Sequence, residues 1–395
     1  SQTGNGTTAL ILSYMSFAIG YIAGPFGAIF FGHIGDRKGR KVTMYASLLM
    51  MGISTSIIGI LPPAASAGVG VVIVLQLMRL AQCFGRGGTW GGGILMAYEN
   101  VPENKRSFYA AIPQIGLPIG FGLSSILIAV PTLLLPEDIF FTWGWRIPFL
   151  AAIILTLIVI RQKGEMMETE DYKKAQAKLE AEEAEGKKHK VGFIPMVKGY
   201  WKTLLLGCGT RWVDGTFYNI FIVWILSYCI NWLGMPLIQT YIITIIACIF
   251  KIPFTLFGGW CAQKLGNTRT FVIGALASAV LSIPTLKVIE LSKGNLAITI
   301  IGIVLGWSIA YNLIWAVISS LWSSYFETEV RYSGISFVYH VPSFLVAGMV
   351  PTICTLLINY GKGDTIYVGI YSTVVALISA ACALALKARH DRGEK

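Results

Sequence analysis

The sequence predicts an all-α integral membrane protein built from eleven membrane-crossing helices, and three observations carry the prediction. First, of 395 residues 55% are hydrophobic and only 13% charged, too apolar a balance for a surface facing water. Second, uncharged stretches of about 20 residues recur along almost the whole chain, the length that a helix rising about 1.5 Å per residue needs to cross roughly 30 Å of hydrocarbon. They are apolar on nearly every side rather than alternating, which favours helices over barrel strands. Third, the charge is segregated along the chain.

Spans are predicted at 8–32, 42–61, 69–98, 107–130, 147–160, 203–232, 238–260, 270–288, 296–323, 332–358 and 366–386, the fifth being the shortest. All but eight of the 31 Lys and Arg residues then fall in one set of alternate loops and the C-terminal tail. Arg146, Lys287, Lys293 and Lys362 lie on the opposite side, and Arg79, Arg86, Arg211 and Lys251 inside spans. The positive-inside rule makes the basic side cytoplasmic, with the C-terminus inside and Ser1 to Gly6 outside, in a multi-pass protein of the cytoplasmic (plasma) membrane. Topology accounts for the net charge of +11 without a nucleic-acid partner, and the lipid bilayer is the expected surrounding. The seven cysteines are scattered, with no CxxC and no histidine at metal spacing, so neither a metal nor a cofactor is expected. No paired catalytic carboxylates or Cys/His cluster mark an enzyme.

Between 161 and 202 the hydrophobicity collapses into a Glu, Lys and Ala-rich stretch, read as a cytoplasmic linker between helical bundles at 1–160 and 203–395. The two parts echo each other. Gly32-His33-Ile34-Gly35-Asp36-Arg37-Lys38-Gly39-Arg40 and Gly259-Trp260-Cys261-Ala262-Gln263-Lys264-Leu265-Gly266-Asn267 match at Gly, basic and Gly positions, each after an apolar run. Glu99 to Arg106 is echoed by Glu327 to Arg331. Parallel repeats of this kind place two bundles about a pseudo-two-fold axis along the membrane normal, with a substrate site between them.

The first repeat, Gly32-x-x-Gly35-Asp36-Arg37-x-Gly39-Arg40-Lys41, resembles the signature loop of the major facilitator superfamily between its second and third helices. Further matches narrow the resemblance to the metabolite:proton symporter family, which includes shikimate, citrate, 2-oxoglutarate and proline/betaine carriers. They are Arg79-Leu80-Ala81-Gln82, Thr89-Trp90-Gly91-Gly92 with Tyr98-Glu99-Asn100, Pro113-Gln114 with Gly116-x-Pro118, Trp143 to Phe149, and Glu329-Val330-Arg331-Tyr332-Ser333-Gly334. The resemblance implies two six-helix bundles, a chain that starts at the second helix of twelve, and a proton as coupling ion. It also implies that Gly32, Asp36, Arg37, Gly39, Arg40, Glu99, Arg106, Glu327, Glu329 and Arg331 form cytoplasmic gating contacts that part when the bundles rock. Exposed pairs contribute only about 0 to 1 kcal/mol each, so several must act together. The sequence departs from the family where Gly24 precedes Pro25 in place of an arginine and Thr89 precedes Trp90 in place of a glutamate. Coupling therefore rests on likeness, and facilitated diffusion or exchange of a neutral or zwitterionic metabolite stays open, as does a non-transporting nutrient receptor.

Charged residues at helix centres cost about 2.5 to 3.5 kcal/mol on insertion scales and usually border a cavity or a partner. Arg79, Gln82, Arg86 and Thr89 recur at helical spacing on one face, beside Trp90. Arg211 and Asp214 share a face and are spaced to neutralise each other. Lys251 stands alone, His340 adjoins Tyr339, and Tyr311 and Asn312 belong to a polar stripe with Ser308 and Trp315. These residues, with Gln114, form the candidate substrate site. Arg79, Arg86, Arg211 and Lys251 against Asp214 leave it cationic, which favours a small carboxylate because guanidinium groups match carboxylates bidentately. The glycine run from Gly85 to Gly93 lies inside a span and follows no strand, so it is not read as a phosphate-cradling loop. Gly20/Gly24, Gly116/Gly120 and Gly302/Gly306 have GxxxG spacing, which reads as close helix contact.

Overall fold

The computed structural model describes residues 3–62, 68–162, 173–174, 176–177 and 193–394. The linker expected at 161–202 falls mostly outside them. Among the described residues there is no strand, and eleven helices are long and apolar enough to cross a membrane: α1 (Ser13–Asp36), α2 (Arg40–Ile60), α3 (Val69–Glu99), α4 (Glu103–Leu134), α5 (Gly144–Arg161), α6 (Met196–Asn231), α7 (Leu237–Leu265), α8 (Asn267–Leu291), α9 (Leu296–Ser323), α10 (Arg331–Tyr360) and α11 (Ile366–Asp391). Every predicted span is present, including the short fifth. The sequence boundaries fall short mainly at the basic ends, where charged residues continue a helix rather than begin a loop.

The signature repeat shows this well. Its first copy is mostly helix, because α1 continues to Lys38 and α2 begins at Arg40. The whole turn is Gly39, at φ 99° and ψ 161°. Gly266 makes the corresponding turn between α7 and α8 at φ 90° and ψ 151°. A side chain is strained at such positive φ, so both copies keep glycine where their other residues have diverged.

Within the first five spans, α3 packs against α1 and α2, and α2 against α5; within the last six, α11 packs against α6 and α8, and α9 against α7 and α8. Two long seams join the sets, α1 with α10 and α4 with α7. Glycines set the spacing of the first seam and its support. A Cβ at Gly87 would stand 2.9 Å from the Cα of Gly27 on α1, and one at Gly91 would stand 2.9 Å from Ser336 Oγ on α10. The glycine run of α3 is therefore where three helices approach it. Of the three spaced pairs, Gly116 and Gly120 meet nothing within 4 Å, so that pair does not mark a contact.

Large apolar side chains such as Phe26, Phe30, Leu155, Leu157, Ile249, Val280 and Leu384 are exposed on the outside of the bundle, as a surface solvated by lipid requires. In the described residues, π-helical turns occur at Ile220–Trp224 in α6, Val304–Ala310 in α9 and Phe344–Gly348 in α10, all in the last six spans.

Gly39→Ala and Gly266→Ala are each expected to destabilise the protein by about 1 to 3 kcal/mol through backbone strain alone. Thermal unfolding of detergent-purified variants checks this, and unchanged melting in both contradicts the turn geometry.

Candidate functional site

Two charged assemblies lie in the bundle. At the basic end, Arg40 of α2 donates through Nη1 to the Gly35 carbonyl at 2.8 Å and through Nη2 to the Thr328 carbonyl at 3.0 Å. It forms ion pairs with Asp36 at 3.4 Å and Glu99 at 3.6 Å. Glu99 also accepts from Arg331 Nη1 at 3.1 Å, and Asp36 accepts from the Ser333 backbone N–H at 3.2 Å and from the Ser333 hydroxyl. Arg331 and Ser333 belong to α10, so the cluster bridges the two sets of helices. The side chains of Asp36, Arg40 and Glu99 are at most 2% exposed. This corrects the picture of solvent-exposed gating pairs: removing one member leaves buried charge without its partner, at a cost of about 3 to 5 kcal/mol rather than 0 to 1.

The other gating candidates are more peripheral. Gly32 packs against Ser333, 3.2 Å from its Cα to a Cβ at that glycine. Arg106 pairs with Glu103 at 3.7 Å and lies over the Tyr98 ring. Glu327 is exposed and Glu329 half-buried at the entry to α10, flanking the Thr328 that receives Arg40. The Arg37 side chain lies outside the described residues.

The second assembly surrounds a central cavity of about 520 Å³ between the two sets of helices, lined from α1, α2, α3, α4, α6, α9 and α10. Six of the twelve candidate substrate residues are on its walls: Arg86, Trp90, Gln114, Arg211, Asp214 and Tyr339. Tyr339 stacks on Trp90 at 4.1 Å between centroids, and its carbonyl accepts from Arg211 Nε at 3.3 Å. Gln114 and Trp315 exchange hydrogen bonds of 3.0 and 3.1 Å between α4 and α9. Arg211 pairs with Asp214, which also accepts from the Tyr311 hydroxyl. The Arg86 guanidinium sits 4.7 Å from the Tyr21 ring centroid, and among the described residues no carboxylate pairs with it.

The remaining candidates are elsewhere. Arg79 and Gln82 line an adjoining cavity of about 340 Å³ that shares Tyr21, Met51 and Arg86 with the central one. Gln82 donates to Thr55 there at 2.6 Å. Lys251, expected at the substrate, is instead fully buried: its amino group is 3.4 Å from the Trp307 carbonyl and 4.4 Å from the Trp307 and Tyr311 ring centroids. Asn312 bonds the Lys251 carbonyl at 2.8 Å behind the wall, and Tyr311 reaches the cavity only through Asp214. His340 turns away from the cavity toward α1, its Nδ1 3.3 Å from where a Gly24 Cβ would stand. A one-residue difference on α10 separates Tyr339, on the wall, from His340, in the seam.

Three wall atoms are buried without a hydrogen-bond partner among the described residues: Arg86 Nε, the Trp90 indole nitrogen and Asn219 Oδ1. Asn219 and Tyr21 escaped the sequence analysis. An amide inside a span was a signal for the first, but at regular helical spacing it sits off the face shared by Arg211 and Asp214.

A helical bundle around a buried, polar, cationic cavity, latched at one end by charge, is a membrane carrier. The Major Facilitator Superfamily profile matches residues 3–351, and the chain belongs to that superfamily. It is 33% identical over 395 residues to the inner membrane metabolite transport protein YhjE of Escherichia coli K12, covering 98% of this chain and 87% of that one. The shikimate transporter of the same organism is 30% identical over 384 residues, covering 95% and 84%, and the proline/betaine transporter of Salmonella typhimurium LT2 is 27% identical over 385 residues, covering 97% and 76%. Among solved structures, the proton:xylose symporter XylE bound to 6-bromo-6-deoxy-D-glucose superposes with a TM-score of 0.75 at 15% identity, covering 97% of this chain and 86% of that one, which shows the fold. The chain is a multi-pass metabolite transporter of that superfamily, and the family and these relatives are transporters rather than enzymes.

Glu99→Gln is expected to lower stability by about 3 to 5 kcal/mol, because it leaves Arg40 and Arg331 facing each other in a buried site. Thermal unfolding measures the loss, and a melting temperature within a degree of the parent contradicts the buried geometry.

Proposed function

We propose that this transporter moves a small organic acid by alternating access, coupled to protons, with its basic end and C-terminus in the cytoplasm. The observation that carries the reading is the pairing state of the cavity's cations. Among the described residues Arg211 has a carboxylate and Arg86 has none, so the walls present an uncompensated guanidinium beside a Trp90 indole N–H that has no partner there. A carboxylate supplies the missing acceptors and the missing charge together. Asn219 Oδ1 offers an acceptor to a hydroxyl on the same ligand. The identity to a shikimate transporter, 30% over nearly the full chain, points to the same substrate class. The proline/betaine relatives make zwitterions the appropriate competitors in any screen. The buried Asp36, Arg40, Glu99, Arg331 cluster suits a latch that holds the basic end shut while the cavity faces the other way.

Binding of shikimate, citrate, 2-oxoglutarate and glycine betaine to the purified protein, followed by uptake into proteoliposomes, tests the assignment. At least one acid is expected to bind and to cross. Arg86→Ala is expected to weaken its binding by about 1.5 to 3 kcal/mol, the scale of a charged hydrogen bond. Binding of glycine betaine alone, or an acid affinity indifferent to Arg86→Ala, overturns the anion assignment.

A further inference from the structure

We infer that Ser336 and His340 of α10 line the passage by which the central cavity opens to the basic end, and that their polar atoms, left without partners while the junction is closed, hold that closure near balance. This assignment rests on the alternating-access part of the reading above and is independent of which ligand the cavity takes.

Helical spacing puts Ser333, Ser336 and His340 on one face of α10. That face meets the first set of helices. Ser333 packs on Gly32 of α1 and bonds Asp36 in the buried ion-pair cluster. Ser336 comes next, its Oγ 2.9 Å from where a Cβ at Gly91 of α3 would stand. His340 follows, its Nδ1 3.3 Å from the Cβ position of Gly24 on α1, and its neighbour Tyr339 is on the cavity wall. The row therefore runs from the charged cluster to the cavity, along the junction of α10 with α1 and α3.

Ser333 is satisfied and the other two are not. Ser336 and His340 are each 1% exposed, and among the described residues Ser336 Oγ and both ring nitrogens of His340 are buried without a hydrogen-bond partner. The Arg86 backbone faces His340 from α3, but outside hydrogen-bond geometry. The glycines opposite have no side chain to offer. Buried polar groups are nearly always bonded, and an orphan costs the closed state the hydration it has lost. In a junction that stayed closed, that cost would be permanent. In a carrier whose basic end opens, the same atoms meet water in the other state, so the cost becomes a bias toward opening. It opposes the Asp36, Arg40, Glu99, Arg331 cluster, which favours closure. Two opposed contributions at one junction keep both states populated, as alternation requires.

Water reaches position 336 only if the junction parts. Ser336→Cys protein in nanodiscs is treated with a charged, membrane-impermeant methanethiosulfonate, and modification at position 336 is followed by peptide mass spectrometry, which separates it from the seven native cysteines. Modification is expected, and adding His340→Leu is expected to slow it about fivefold or more, the scale of one unsatisfied buried group. Adding His340→Gln instead, which keeps polar atoms in the junction, is expected to leave the rate within about twofold of the Ser336→Cys parent. His340→Leu in the wild-type background is expected to melt at or above the wild-type temperature. Absence of modification at position 336 overturns the inference without a second substitution, and so does a rate that His340→Leu leaves unchanged or raises. A lower melting temperature for His340→Leu makes the histidine a packing residue and overturns it as well. Failure of every acid in the binding screen overturns the organic-acid reading, which is a different result.

Discussion

A guanidinium in a membrane span needs acceptors for its N–H groups and an opposite charge, and among the described residues Arg40, Arg211 and Arg331 meet carboxylates whereas Arg86 does not. At the basic end, Arg40 meets Asp36 and Glu99 of its own set of helices, and Arg331 meets Glu99 across the junction. At the centre, Arg211 is satisfied by Asp214, and Arg86 is left to a tyrosine face and a cavity. The first arrangement closes a seam; the second leaves positive charge on the cavity wall, which is what the proposed anion would meet. Both depend on low dielectric, since the same pairs in water would contribute about 1 kcal/mol or less.

Packing enforces the division. The glycines of α3 let α1, α2 and α10 approach so closely that Glu99 and Arg40 are sealed from solvent at one end. Interleaved with these glycines, on the face of α3 turned to the central cavity, are the larger residues Arg86, Thr89 and Trp90. One helix therefore contributes Glu99 to the buried ion-pair cluster, its glycines to the packing surface and Arg86, Thr89 and Trp90 to the cavity wall. Both α3 and α10 take part in the cluster and in the cavity.

Much of this was legible in the sequence because a membrane imposes coarse rules. Eleven apolar stretches, the loop distribution of Lys and Arg, and the repeated glycine-basic-glycine signature gave the span count and the paired turns at Gly39 and Gly266. The cationic stripe led to Arg86 and Arg211. Depth and direction were less readable. Helical periodicity grouped Lys251, Asn312 and His340 with the site, but a stripe states which residues share a face and not which face meets the cavity. Tyr339 and His340 are neighbours, and only packing against α1 and α3 decides that one lines the wall and the other fills the seam. Burial of the gating charges was also hidden, because Asp36, Arg40 and Glu99 lie at helix ends where charge normally reads as solvated. The π-helical turns have no sequence signature at this level, and the one at Val304–Ala310 shifts the register of Tyr311 and Asn312 relative to the residues before it.

The central claim is that charge, rather than shape alone, selects the ligand of the cavity. Calorimetric titration of the purified protein with whichever of shikimate, citrate or 2-oxoglutarate binds, and with the uncharged carboxamide of that acid, tests it most directly. The account predicts that the acid binds at least about tenfold more tightly than the amide, a difference of about 1.4 kcal/mol or more. Equal affinity for the two, with both bound in the cavity, contradicts it.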